Sequence, residues 1–147
     1  MSTTTQDPPA TPESLIERAE SHMAHFAIRW LPPKTAVVTA HGEIDAANAQ
    51  QLVDYAMRHS DRIDRLVLDM SGIDFFGTSG FSALHSLNVR CAGESIIWAS
   101  VPSPAVARLE RICDPESALP FFSGVDSALS AVQGEPPPLL QLVPQAR

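Results

Sequence analysis

The stretch from Leu66 to Leu84 constrains the fold more than any other part of the chain. It begins with a continuous apolar run, Leu66-Val67-Leu68, and ends in a pattern with apolar residues every three or four positions. A short apolar run between charged residues is typical of a strand buried on both faces, and the second pattern is typical of a helix. The stretch therefore predicts an α/β unit in which helices cover a sheet.

The turn between strand and helix carries two hydroxyl side chains, Thr78 and Ser79, flanked by Gly77 and Gly80. Gly77 permits a tight turn, and we expect the hydroxyl oxygen of Thr78 to cap the following helix. A glycine inside the first helical turn costs about 1 kcal/mol relative to alanine. Gly80 therefore predicts that another group packs closely against the backbone at this position.

Four interpretations of the turn follow from its residues: an ordinary helix cap, a phosphate-binding loop, a nucleophile elbow, or a hydroxyl controlled by phosphorylation. A phosphate-binding loop requires a lysine that does not follow here. A nucleophile elbow, G-x-S-x-G, requires a glycine where Phe81 stands. The cap and the regulated hydroxyl are favoured, the latter because a helix N-terminus tolerates the negative charge of a phosphate.

Composition limits the class of protein and its partners. The 147 residues, of which 44% are hydrophobic, suffice for one domain with a core. A net charge of -7 and a single lysine argue against nucleic acid and anionic membranes as partners. No apolar stretch is long enough for a membrane span, and the N-terminal residues lack a signal-peptide pattern. Two cysteines make no disulfide framework, so we expect a cytoplasmic protein.

The pattern along the chain gives the order strand, strand, helix, strand, helix, strand, helix, short strand, helix. We predict one α/β domain with a mixed sheet of four to five strands and about four helices packed mainly on one face. The domain is expected over residues 22–133, between a flexible N-terminal tail (1–21) and a C-terminal tail (134–147). The predicted strands are 23–30, 35–41, 65–69, 95–99 and 119–122. The predicted helices are 46–59 with Asp45 as its cap, 79–93, 104–113 with Ser103 as its cap, and 125–132, the last capped by a box from Ser123 to Asp126. In the first of these helices we expect one buried apolar stripe, formed by Ala49, Leu52, Val53 and Ala56.

The histidines show no spacing with carboxylates or thiols that is typical of a metal site, so we predict neither a metal nor a cofactor. Asp69 and Asp74 are expected to be solvated carboxylates rather than magnesium ligands. Cys91 and Cys113 are expected to be buried free thiols. The alternative is a reversible disulfide, which requires Cα atoms within about 7 Å of each other.

Two motifs in this order of elements resemble the STAS domain of bacterial anti-sigma-factor antagonists. Gly42-Glu43-Ile44-Asp45 resembles the family's turn before its first helix, and the segment 75–81 resembles its Asp-Ser-Ser-Gly loop after the third strand. The resemblance covers roughly residues 22–133. It implies a binding protein without enzymatic activity. In this family the unmodified antagonist binds an anti-sigma factor of the serine/threonine kinase type, and this binding frees a sigma factor. Phosphorylation of the loop breaks that complex, and a phosphatase restores it.

The resemblance places the phosphorylated hydroxyl on Thr78, with Ser79 as the alternative acceptor. The family's aspartate before this position falls on Gly77, which is a departure. The residues expected to contact the partner are Asp45, Phe75, Phe76, Gly77, Ser79, Gly80 and Phe81. Phe81 is expected to be at least partly exposed, because it lies about 60° around the helix from the line through Leu84.

Two other functions stay open at this point. One is a STAS module that binds a small ligand, or serves as a subunit of a transport or signalling complex, without phosphorylation; the missing aspartate favours it. The other is a small hydrolase using Ser79, which the missing second glycine and the absence of an evident base argue against.

Overall fold

The computed structural model of the protein describes residues 24–134, in which four strands form one sheet in the order β1-β2-β3-β4. The strands are β1 (Ala24–Leu31), β2 (Thr35–Ile44), β3 (Arg65–Phe76) and β4 (Ile97–Val101). The α-helices of this part of the chain are α1 (Ala49–Met57), α2 (Thr78–Gly93), α3 (Pro104–Cys113) and α4 (Val125–Gln133). The predicted α/β fold is confirmed, whereas the predicted tail at 1–21 and nearly all of the predicted tail at 134–147 lie outside the described residues.

The sheet is mixed, because β1 and β2 form an antiparallel hairpin while β2, β3 and β4 run parallel. Each parallel connection passes through a helix, α1 between β2 and β3 and α2 between β3 and β4. The turns that lead into α1 and α2 therefore lie at the same end of the sheet. We call this the carboxyl end of the sheet, comprising residues 42–48 and 73–80.

One face of the sheet is covered by α1, α2 and α3. Side chains of β2 and β3, among them Val38 and Leu68, pack there against Leu52 of α1, Leu84 of α2 and Val106 of α3. All five are buried, as apolar residues on facing surfaces of a sheet and its helices should be. The prediction that the helices pack mainly on one face is confirmed, since three of the four described α-helices do so.

The opposite face of the sheet is covered by α4. Ala128 and Val132 of this helix pack with Val37 of β2, Val67 of β3 and Ala99 of β4. Val67 points to this face while Leu66 and Leu68 point to the other, so the apolar run of β3 is buried on both sides as predicted. Within residues 24–134, no helix has the length and apolarity needed to cross a membrane.

Strand β3 is longer than the sequence predicts, because it continues past Asp69 to Phe76. Irregularities in the pairing lie between Thr39 and His41 and between Gly42 and Glu43 of β2. They allow β2 and β3 to stay paired until Ile44 faces Phe76. The turn that precedes α2 is consequently a single residue, Gly77.

The connections after β4 agree with the sequence prediction in part. The Ser103 hydroxyl caps α3 by accepting the Val106 amide at 3.2 Å, and 119–122 adds a single parallel bridge, Phe121 to Ser100, beside β4. The capping box predicted from Ser123 to Asp126 is wrong, because the cap residue of α4 is Gly124. The Gly124 amide donates to the Ser127 hydroxyl at 3.3 Å.

Candidate functional site

The turn before α2 is held against the end of β2. The Gly77 amide donates to the Ile44 carbonyl oxygen at 3.0 Å, which extends the pairing of the two strands by one bond. Gly77 has extended backbone angles, φ -86° and ψ 175°, and is the cap residue of the helix although it has no side chain to bond an amide. The end of β2 and the start of α2 are thereby fixed side by side.

Thr78 is the first residue of α2, and its side chain is exposed. The prediction that its hydroxyl caps the helix is wrong, because the cap residue is Gly77 and Thr78 is already helical. Ser79, the next residue, is half-buried. Of the two hydroxyl-bearing residues on this turn, Thr78 is therefore the more exposed.

The first turn of α2 keeps unpaired amides at its N-terminus. The Gly80 and Phe81 amides donate to the Gly77 carbonyl oxygen at 2.9 and 3.3 Å. The Thr78 and Ser79 amides donate to no acceptor within residues 24–134. Free amides at a helix N-terminus carry partial positive charge and favour a nearby anion.

Gly80 lies where the chain has no room for a side chain. A Cβ atom built on it would stand 2.6 Å from Cε1 of Phe76 and 3.0 Å from Cγ2 of Ile44. The prediction of close packing against the Gly80 backbone is confirmed. The ring of Phe76 and the side chain of Ile44 thus set how closely the start of α2 approaches the sheet.

The aromatic side chains beside the turn divide into one exposed and two buried rings. Phe75 is 51% exposed, but Phe76 and Phe81 are only 5% and 4% exposed. The prediction that Phe81 is partly exposed is wrong. Helix α2 packs on α1 as well as on the sheet, so its buried arc is wide enough to include a residue 60° from Leu84. Phe75 is the one predicted aromatic contact residue that lies at the surface; Phe76 and Phe81 support the turn from below.

Asp45 lies at the same end of the sheet, directly after the Ile44 carbonyl that binds Gly77. It is exposed, and its Oδ1 accepts the Ala47 amide at 2.9 Å. The predicted helix from Ala46 is wrong at its start, because a hydrogen-bonded turn precedes the first helical residue, Ala49. Asp45, the predicted contact residue, and Thr78, the predicted acceptor, therefore lie at the same end of the sheet and are both exposed.

Asn48 is a structural residue of this surface that the sequence analysis missed. Its side chain is buried, accepts the Asp45 amide at 2.9 Å and donates to the Glu43 carbonyl oxygen at 2.9 Å. It ties the end of β2 to the start of α1. The signal that could have revealed it is the spacing Asp45-x-x-Asn48, which is that of a capping pair.

The carboxyl end of the sheet is acidic. Glu43, Asp45 and Asp74 lie here, whereas residues 35–57 and 66–89 contain no lysine or arginine. The turn at Gly77 and Thr78 is itself uncharged. A negative charge added to Thr78 would therefore join other negative charges, with the helix N-terminus as its nearest positive pole.

The remaining candidate groups do not come together. Cys91 is buried and its thiol lies 3.9 Å from the sulfur of Met57, whereas Cys113 is exposed, which corrects the prediction that both are buried. Burial, and then the charge of Glu94, raise the pKa of the Cys91 thiol to about 12. Within residues 24–134 no three His, Cys, Asp or Glu side chains form a group that could hold a metal ion.

A model of the STAS domain matches residues 31–128, which is more than half of the 147 residues. The chain belongs to the STAS domain family. Two relatives come from Mycobacterium tuberculosis. Osmosensory protein A is 40% identical over 97 residues, covering 63% of this chain and 61% of that protein. Anti-sigma-F factor antagonist RsfA is 34% identical over 99 residues, covering 65% of this chain and 77% of that protein.

Solved structures give the same result. A crystal structure of an anti-sigma factor antagonist from Mycobacterium paratuberculosis matches this STAS domain with a TM-score of 0.66 and 25% sequence identity. The match covers 75% of this chain and 94% of that chain. The predicted resemblance to the anti-sigma-factor antagonists is confirmed at the level of family and fold. The chain spans 61% of the length of Osmosensory protein A, so that protein has further sequence outside the matched region.

Proposed function

We propose that this STAS domain is an anti-sigma-factor antagonist that binds an anti-sigma factor of the serine/threonine kinase type and so frees a sigma factor. The observation that carries the proposal is the exposed Thr78 hydroxyl on the first residue of α2, in an uncharged turn at one end of the sheet. The similarity to anti-sigma-F factor antagonist RsfA supports the same class of partner. The protein acts by binding and has no catalytic activity of its own.

Phosphorylation of Thr78 switches the antagonist off. A phosphate on this residue adds nearly two negative charges beside the unpaired amides of the helix N-terminus, which can accept them without unfolding the turn. A partner docked on the neutral turn would then have to desolvate that charge. A loss of about 3 kcal/mol weakens binding more than a hundredfold. A phosphatase that removes the phosphate restores binding.

Thr78 is a better acceptor than Ser79 because its side chain is exposed and that of Ser79 is half-buried. A kinase active site must enclose the acceptor hydroxyl, which favours Thr78 as the more exposed of the two residues. Asp45 and Phe75 are exposed at the same end of the sheet and are the proposed contact residues. We propose the cytoplasm as the site of action, because a kinase-type partner requires ATP.

The test is phosphorylation by each kinase-type anti-sigma factor of the native genome, purified one at a time and read by mass spectrometry. The parent is expected to gain one phosphate, Thr78→Ala none, and Ser79→Ala one. Undiminished phosphorylation of Thr78→Ala moves the site to Ser79. If no such kinase modifies the parent, the phosphorylation switch is wrong.

A second candidate is a STAS module that binds a small ligand, or belongs to a transport or signalling complex, without phosphorylation. Gly77 favours it, because the family's aspartate is absent beside the acceptor. The relative named Osmosensory protein A is consistent with a signalling role of this kind. An unmodified parent that still binds a kinase-type anti-sigma factor would favour the antagonist without the switch; binding to none would favour this second function.

A further inference from the structure

The outer edge of β1 is a long strand edge that has no partner within residues 24–134. The sheet order is β1-β2-β3-β4, so the two outer strands are β1 and β4. The outer side of β4 is partly paired by the bridge from Ser100 to Phe121, and Pro120 beside it has no amide hydrogen to donate. The outer side of β1 leaves a row of backbone donors and acceptors available along eight residues.

Strand β1 lacks the features that usually prevent two strand edges from pairing. Such edges are protected by short length, by prolines and lysines, or by bulges. β1 contains neither proline nor lysine, and its register with β2 is regular from Ala24 to Leu31. An edge of this length and regularity is suited to pairing with another strand.

The side chains of β1 form an apolar row on one face of the sheet and an exposed row on the other. Phe26, Ile28 and Trp30 lie on the face that carries α1. Helix α1 covers this row only in part, because Phe26 and Ile28 are half-buried and Trp30 is 41% exposed. Ala27 and Arg29 lie on the opposite face and are exposed. A strand added at the edge would cover the apolar row from its open side.

A second copy of β1 fits this edge when the two strands are related by a two-fold axis at Ile28. An axis perpendicular to the sheet makes the strands antiparallel and keeps equivalent faces on the same side. Phe26 of each copy then faces Trp30 of the other, and Ala27 faces Arg29. Pairs of aromatic side chains across two strands are stabilising, whereas like charges directly opposite are destabilising. An axis at Arg29 would set two arginines against each other, and an axis at Ala27 would separate the aromatic rings.

The charges along this edge are complementary in the same arrangement. Glu43 and Asp45 lie at the carboxyl end of the sheet, whereas Arg58 and Arg62 lie after α1, at its opposite end. The two guanidinium groups stand 5.2 Å from the ring centres of Tyr55 and of a β1 residue, and they form no ion pair within residues 24–134. Because the two-fold axis reverses one copy, the acidic end of each sheet lies beside the basic end of the other.

The size of this edge is sufficient for a reversible dimer. Eight residues of strand are about 26 Å long, and the sheet with α1 packed on it is about 20 Å deep. The contact would therefore cover about 500 Å² on each copy, or about 1,000 Å² in total, which is the lower limit for a specific interface. An interface of this size is expected to form and dissociate rather than to be permanent.

We infer that the protein forms a reversible homodimer, in which the β1 strands of two copies pair antiparallel about Ile28 and join two four-stranded sheets into one. The inference goes beyond the proposed function and does not depend on it. Thr78 follows β3, and β2 separates β3 from β1, so the paired edge lies apart from the Thr78 hydroxyl. The dimer would therefore present two Thr78 sites.

The test measures the dimer dissociation constant of the full chain by sedimentation equilibrium. Ala27→Arg sets an arginine against Arg29 of the other copy on both sides of the axis, so we expect the constant to rise about tenfold or more. Ala131→Arg adds the same charge at an exposed alanine of α4 and is the matched control, with a constant within about twofold of the parent's. Circular dichroism and melting temperature should be unchanged in both variants, because both alanines are exposed.

A charge reversal tests the register. The double variant Ala27→Arg with Arg29→Glu sets opposite charges against each other at the same two positions, and it should dimerise like the parent. A parent that stays monomeric at millimolar concentration would overturn the inference. So would a parent dimer that Ala27→Arg leaves unchanged, because its interface would then lie elsewhere.

A second measurement identifies what pairs with the edge. The photo-crosslinking residue p-benzoylphenylalanine replaces Ala27 in an equal mixture of protein with natural and with heavy nitrogen, and the products are read by mass spectrometry. We expect crosslinks that join the two isotopic forms at residues 25–31. Crosslinks within one chain to residues 1–22 would overturn the inference and assign the edge to the chain's own N-terminal residues.

Discussion

Replacing Gly80 by alanine tests the packing that positions the turn at Gly77 and Thr78, the proposed phosphorylation site. In the structure the added Cβ would stand 2.6 Å from Cε1 and 2.8 Å from Cζ of Phe76, and 3.0 Å from Cγ2 of Ile44. An ordinary contact begins near 3.4 Å, so the ring has to retreat by about 0.8 Å. Phe76 and Ile44 are both buried, and neither has open space in which to move freely.

The size of the effect follows from two opposing contributions. Overpacking a core of this kind typically costs about 1–3 kcal/mol. Alanine is favoured over glycine in a helix by about 1 kcal/mol, which offsets part of that cost. We therefore expect Gly80→Ala to lower the free energy of unfolding by about 1–2 kcal/mol.

Gly93→Ala is the matched control, because Gly93 ends the same helix and a Cβ there meets nothing within 4 Å. It should leave stability unchanged or raise it by up to about 1 kcal/mol. Urea unfolding followed by circular dichroism measures both variants under the same conditions. A Gly80→Ala variant as stable as Gly93→Ala would show that the start of α2 is not held by these contacts.

Further predictions concern the cap residue Gly77, the two thiols and a buried carboxylate. Aspartate fits at position 77, because a Cβ atom there would lie no closer than 3.6 Å to another atom. As a better cap residue than glycine, it should raise the free energy of unfolding by a few tenths of a kcal/mol, measured by urea unfolding. Clear destabilisation by Gly77→Asp would contradict the cap geometry. One thiol, Cys113, should react with a thiol reagent at pH 8 in the native protein and two in urea. Burial raises the pKa of Cys91 from 9.0 to about 12, so above pH 9 the native state keeps a proton that the unfolded chain loses. The free energy of unfolding should therefore fall as the pH rises from 9 toward 12. A free energy of unfolding that does not change with pH in this range would contradict this. Asp114→Asn should lower the free energy of unfolding by about 1–3 kcal/mol, because the two oxygens of this buried carboxylate accept two backbone amides of the following turn at 2.8 and 3.0 Å. Glu116→Gln, at an exposed site, is the control.

The sequence is sufficient for the parts of the fold that depend on periodicity. The apolar run at Leu66, the buried stripe of α1 and the Ser103 cap each follow from a local rule that the folded chain obeys. The boundaries of β3 and α1 do not follow from such rules. The irregular pairing of β2 with β3 and the hydrogen bonds of Asn48 depend on neighbours that are distant in the chain or hidden in a turn.

The candidate site shows the same division. The position of the turn could be predicted from the change of pattern between strand and helix, and the tight approach at Gly80 from the cost of a glycine inside a helix. The burial of Phe81 could not, because it depends on how α2 packs against α1 as well as against the sheet.

The most direct test of the antagonist function compares one protein in two states. Protein carrying phosphothreonine at position 78 and the unmodified protein are each titrated into the anti-sigma factor by calorimetry. Circular dichroism of the two forms serves as the control for folding. We predict a Kd at least a hundredfold higher for the phosphorylated form, with unchanged folding, which corresponds to about 3 kcal/mol. Equal affinities of the two forms would contradict the claim that Thr78 is the switch of this STAS domain.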